Sequence, residues 1–175
     1  MVQPPGVASP VLPTLPETPP ALRACLFALA GLRFAVDVRN TREVAVFDEI
    51  TAMPRAPRHL LGVANLRGTV LPITDIRALL GLPEPRPARS ARTLVLRDGA
   101  LVAAVVVDTV LGLEPFDEIV PVDSPIAARA RGPRQFVAGW IAWAGETLPL
   151  LDVPRVLAAL RPTTRAGESA QGEPA

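Results

Sequence analysis

Residues 62–80 read GVANLRGTVLPITDIRALL. An apolar strand, Val63 to Leu66, runs into Arg67-Gly68, and a second, Val70 to Ile73, follows at once. Glycine takes positive φ at no steric cost, so Arg67-Gly68 reads as the tight turn of a hairpin. Pro72 donates no ladder hydrogen bond, so it must face away from a partner strand or sit at an edge or bulge. Asp75 reads as the N-cap of a short helix over Ile76 to Leu80, with Gly81 placed to end it.

The pattern returns at residues 139–157, GWIAWAGETLPLLDVPRVL. Without gaps, Gly62 falls on Gly139, Gly68 on Gly145, Leu71 on Leu148, Pro72 on Pro149, Asp75 on Asp152 and Leu80 on Leu157, an offset of 77 residues. Turn glycine, strand proline, helix cap and apolar helix positions all match. Two copies point to a duplicated barrel, because a solenoid needs three or more units. The copies also differ. Arg67 falls on Ala144 and Asn65 on Ala142. What both keep serves the fold; what one keeps is a candidate for function.

Outside the repeat the chain follows the same rhythm. Ala24–Ala30 and Leu32–Val38 flank Gly31 as a hairpin, and Thr41–Phe47 (TREVAVF) alternates, Val44 and Val46 to one side, Glu43 and Ala45 to the other. Residues 51–58, with Pro54 and Pro57, read as a loop, and His59-Leu60-Leu61 as a turn into Gly62. Leu94–Leu96, Asp98-Gly99 and Leu101–Val107 restart the pattern with a hairpin. Phe136–Leu151 supplies the last two strands, and Asp152 caps a helix ending near Leu160, before Pro162. The domain is expected over residues 22–160. Its first barrel is placed at about 22–82, a polar, Pro-rich linker at 83–92 and a second barrel at about 93–160. The Pro-rich leader 1–21 and the tail 161–175 have disordered compositions. Short strands, regular turns and few helices give an all-β fold of two small five-stranded barrels sharing an apolar core.

Composition narrows the function. All 18 basic residues are arginine, in keeping with GC-rich coding, and the net charge of +1 leaves no electrostatic footprint for nucleic acid or a membrane surface. The basic clusters Arg86, Arg89, Arg92 and Arg129, Arg131, Arg134 lie in loops without interleaved aromatics. Cys25, the one cysteine, allows no internal disulfide and reads as buried and inert. With no signal peptide and no apolar run near the ~20 residues of a membrane helix, a cytoplasmic setting without membrane insertion is expected. His59 stands alone, so neither a metal pair nor a triad can be assembled. Gly62 and Gly68 belong to a hairpin and not to a phosphate loop. No catalytic residue, cofactor or metal site is expected. Trp140 and Trp143, three apart, are expected on opposite faces of their strand.

Ala56-Pro57, then 61–68 (LGVANLRG), then 71–77 (LPITDIR) resemble the signature of the CheW family, the coupling proteins of bacterial chemotaxis. The resemblance covers roughly residues 22–160, and the string GVxNLRGxxLPxxDxR is specific. It implies two SH3-like five-stranded barrels and a non-enzymatic cytoplasmic adaptor. That adaptor bridges the cytoplasmic helical hairpin of chemoreceptors to the regulatory domain of a CheA-type histidine kinase, with avidity from array assembly. The alternative is a small-barrel ligand-binding or enzyme-accessory subunit. The family's functional arginine, third-strand glutamate and motif glycine carry over to Arg67, Glu43 and Gly62. One departure is Thr41, where the family more often has valine, a position bearing on receptor affinity.

Arg67 and Glu43 are expected to pair and to shape a partner-binding surface with Asn65. The guanidinium fork suits a carboxylate, and both partners are missing together from the second half, where Ala144 and Gly112 stand near their places. An amphipathic receptor helix is expected in a groove between the barrels, lined by Val36, Val38, Val105 and Val107 with Leu111.

Overall fold

The computed structural model describes residues 22–83, 91–125 and 134–161. The leader, most of the linker, residues 126–133 and nearly all of the tail lie outside the described residues, and with them Arg86, Arg89, Arg129 and Arg131. Among the described residues ten strands appear: β1 Leu22–Leu29, β2 Leu32–Asp37, β3 Thr41–Phe47, β4 Leu60–Leu66, β5 Thr69–Thr74, β6 Ala91–Asp98, β7 Leu101–Val106, β8 Thr109–Phe116, β9 Val137–Trp143 and β10 Glu146–Leu151. One α-helix follows, α1 Val153–Ala159. Its N-cap Asp152 accepts from the Arg155 amide. β6 begins inside the stretch expected as linker, and β4 begins at Leu60, where a turn was expected.

The strands form two five-stranded sheets, β8-β1-β2-β10-β9 (sheet I) and β3-β6-β7-β5-β4 (sheet II). This corrects the expected division into contiguous halves. Each sheet combines the opening hairpin of one half with three strands of the other. Renumbering β1–β5 as β6–β10 turns one sheet order into the other, so the duplication is real and its hairpins are exchanged. The match extends to register. The parallel pair Ile73↔Ala104 in sheet II has the same place as Leu150↔Ala35 in sheet I. The exchange follows from the connections. The 3-10 turn Val38–Asn40 carries the chain from β2 in sheet I to β3 in sheet II, and Val107-Asp108 carries it back from β7 to β8.

Three apolar clusters result. Leu26, Phe116, Ile141, Leu148 and Leu150 fill the inside of sheet I; Val95, Phe47, Ala64, Leu71 and Ile73 occupy the matching places in sheet II. The largest cluster lies between the sheets and includes Phe27, Phe34, Leu94, Leu96, Trp140 and Val156. The inner strands therefore bury both faces, which explains why β1, β2 and β7 read as continuous apolar runs while edge strand β3 alternates. Cys25 is buried in the shared cluster, and burial pushes its thiol up from the ordinary range. Trp140 is buried there too, while Trp143 packs half-buried against the inside of sheet I, on the other face of β9.

The helix expected over 76–80 is a single turn. The Leu80 amide donates to the Ile76 carbonyl at 2.9 Å, then Gly81 N to Ala78 O and Leu82 N to Arg77 O close a Schellman ending, with Gly81 at φ +67°. Glycine stops the segment before a second turn forms.

Candidate docking surface

Strand β4 turns into β5 through Arg67 and Gly68, both at positive φ (+50° and +88°), a two-residue loop matched to the sheet twist. The Asn65 side-chain oxygen accepts from the Gly68 amide at 2.7 Å, so Asn65 holds the turn that presents Arg67. The same loop forms at Ala144-Gly145 (φ +48° and +80°), where Ala142 offers no such bond.

The Arg67 side chain reaches β3. Its Nη2 lies 2.9 Å from Glu43 Oε2, with Arg67 79% and Glu43 21% exposed. The two residues expected to pair are thus joined in space. An exposed pair of this kind contributes at most ~1 kcal/mol to folding. Its strength is poor grounds for retaining it, and its accessibility is a better one. β5 exposes Val70 just past the turn, while β3 exposes Val44 and Val46 on the opposite face from Glu43.

Gly62 has a different position. It is buried at φ +153°, and a Cβ there would lie 2.3 Å from the Thr51 carbonyl oxygen. Thr51 and Val63 exchange two backbone hydrogen bonds at 2.9 Å across this point, and Val120 and Trp140 do the same at 2.8 Å beside Gly139. The motif glycine lets the loop after β3 cross β4 closely; it offers a partner no surface of its own.

The expected valine groove is not there. Val36, Val105 and Val107 are buried in the cluster between the sheets, and Val38 lies half-buried in the 3-10 turn instead of a strand. The two sheets close on each other through these side chains, because inner strands have no free face. Leu111 is exposed, on edge strand β8 with Leu113.

The second hairpin tip carries an ion pair of its own. Glu146, at the place of Thr69, takes a bidentate contact from Arg33 Nη1 (2.6 and 2.8 Å), and the Arg33 guanidinium lies 5.8 Å from the Trp143 ring centroid. These partners are 113 residues apart, and neither is a position that the two copies of the repeat share. At the first crossover Asp37 pairs with Arg39, whose side chain and amide hold the Asp37 carboxyl below its usual range. Among the described residues no group of three or more His, Cys, Asp or Glu is arranged to hold a metal, and no helix is long and apolar enough to cross a membrane.

Known proteins are similar to this chain in sequence and architecture. A protein described as a probable chemotaxis protein CheW from Rhizobium etli is 35% identical over 128 residues, covering 73% of this chain and 81% of its own. Protein FrzA of Myxococcus xanthus is 34% identical over 139 residues, covering 77% and 84%. The crystal structure of the scaffolding protein TtCheW from Thermoanaerobacter tengcongensis superposes with a TM-score of 0.65 at 24% identity, over 79% of this chain and 88% of that one, which bears on the fold alone. The CheW-like domain profile matches residues 23–161, nearly all of the two-sheet body, and the chain therefore belongs to the CheW-like family.

Proposed function

We propose that this protein is a non-enzymatic coupling adaptor of chemotaxis signalling, joining the cytoplasmic helical hairpin of a chemoreceptor to the regulatory domain of a CheA-type histidine kinase. Membership of the CheW-like family supports the adaptor role. The observation that carries the placement of the site is the Arg67–Glu43 pair. It lies at an exposed hairpin tip, and the duplicated half has lost both residues while keeping the turn. Arg67 offers a fork of donors to a partner carboxylate, and exposed Val70, just past the turn on β5, offers apolar contact area beside it. Weak contacts with each partner gain strength when many copies assemble into an array. The reading as a small-molecule binder is not favoured, because side chains fill the insides of both sheets.

The test is a titration of a receptor cytoplasmic fragment and a kinase regulatory domain against wild type, Arg67→Ala and Glu43→Ala. Arg67→Ala is expected to fold normally, losing at most ~1 kcal/mol, and to weaken binding of at least one partner about tenfold, ~1.4 kcal/mol. Wild-type affinity for both partners in both variants would remove the pair from the docking face.

A further inference from the structure

Among the described residues, Arg77 is the one buried charged side chain, 3% exposed in the turn after β5. Its Nη1 donates to Asp75 Oδ2 at 2.7 Å and its Nη2 to Asp108 Oδ1. Asp108 stands at the corner where the chain leaves sheet II for sheet I. Its other oxygen accepts from the Ala30 amide in the β1–β2 turn at 2.7 Å, and its own amide donates to Ala28 O at 2.9 Å. One carboxylate thus holds Arg77 of sheet II with one oxygen and a turn of sheet I with the other. Asp75 continues the chain: its amide donates to His59 O, and the His59 ring contacts the Leu160 carbonyl at the end of α1.

The duplicated half has no counterpart. Pro154 occupies the place of Arg77, and Arg39 that of Asp108, where it pairs locally with Asp37. The clamp exists once, in the half that carries Arg67, and β5 runs directly from the Arg67 hairpin to Arg77.

We infer that Arg77 is a positioning residue: with Asp75 and Asp108 it forms an ionic clamp that fixes the register of sheet II against sheet I, and so the placement of the Arg67 hairpin. The apolar cluster between the sheets supplies non-directional attraction, and cores of this kind lose uniqueness of packing before they lose stability. Specification of register is the best-attested role of a buried ion pair. The planar fork of arginine satisfies two carboxylates in fixed directions; lysine cannot. The functional consequence rests on the docking role proposed above, whereas the clamp itself does not.

Spin labels on Val70→Cys in sheet II and Leu113→Cys in sheet I, both exposed, report the relative placement of the sheets in the full chain; buried Cys25 stays unlabelled in the folded protein. The expected result is one narrow distance with the clamp intact. Asp108→Asn and Arg77→Lys should each lose it to a broad or shifted distribution, with far-UV circular dichroism unchanged and the Ala30 amide losing exchange protection. An unchanged narrow distance in both variants overturns the clamp. If either fails to fold, Arg77→Met with Asp75→Asn and Asp108→Leu removes all three charges together, the Asn oxygen still free to accept from the residue 77 amide: a folded, broadened distribution supports the clamp and a narrow one overturns it. Receptor and kinase titrations separate the two levels. Broadening with weakened binding supports positioning, and broadening with wild-type binding overturns it. If Arg67→Ala leaves binding intact while Asp108→Asn broadens the distance, the docking reading fails and the clamp stands.

Discussion

Replacing Gly62 with alanine places a methyl carbon 2.3 Å from the Thr51 carbonyl oxygen and 2.8 Å from Ile50 Cγ2 and the Thr51 carbonyl carbon. The Ile50 side chain can turn aside; the backbone of Thr51 cannot, because both its amide and its carbonyl bond to Val63 at 2.9 Å. Relief of the overlap requires that bridge to open, a loss of about 2 kcal/mol for its two hydrogen bonds. A non-glycine residue at φ +153° adds roughly 1–3 kcal/mol of backbone strain. A cost of about 3–5 kcal/mol is therefore expected, a large share of the ~5–15 kcal/mol that holds a domain folded. Two other glycines serve as controls. Gly68→Ala, with open space around it at φ +88°, should cost only about 1–2 kcal/mol. Gly139→Ala should fall between them: it meets the movable Ile119 side chain at 2.2 Å and the Val120 carbonyl oxygen at 2.8 Å, without a left-handed φ. Urea denaturation of the three variants gives the ranking, and amide exchange at Thr51 and Val63 locates the damage. If Gly62→Ala unfolds within ~1 kcal/mol of Gly68→Ala, with Thr51 and Val63 still protected, the close crossing is not what demands glycine there.

Three further outcomes follow from the geometry. Asn65→Ala removes one exposed hydrogen bond to the Gly68 amide and should cost about 0.5–1.5 kcal/mol in thermal unfolding, with hairpin register unchanged by NMR, since Ala142 stands in the matching turn. Asp37 titrates below its usual range when folded, so its stabilisation is full above the ordinary value near ~3.9 and is lost as pH falls through the lower folded value. Wild type and Asp37→Asn should accordingly converge in stability under acid, and a gap that widens as pH falls would contradict the assignment. The Cys25 thiol is buried with a raised pKa, so native protein should resist a thiol reagent until denaturant is added; stability should decline as pH rises past ~8.5, where the unfolded thiol ionises first.

Much of this architecture was legible in the residues because local chemistry wrote it down. Arg67-Gly68 and Ala144-Gly145 announce two-residue turns, Asp152 announces a helix start, and the missing arginine and glutamate in the second half single out the pair that meets at 2.9 Å. The exchange of hairpins was not legible. Each half carries the same string of elements, and whether β1–β2 joins its own following strands or those of the other half changes no local signal. The valines failed for a related reason. Alternation marks a strand with one wet face, and Val36 and Val105 lie on strands with none. In the sequence Arg77 stands only as the last residue of LPITDIR and part of a short helix; its burial was not legible, because it depends on Asp108, 31 residues away in the other half.

The exchanged hairpins make the two halves of the gene interdependent. A fragment ending at residue 83 holds two strands of sheet I and three of sheet II, and a fragment beginning at residue 91 holds the complement. Neither can complete a sheet, so each should be insoluble when expressed alone and recovered when both are made together. For the same reason each half-gene shapes both sheets, and a change in either half meets the strands that the other half contributes.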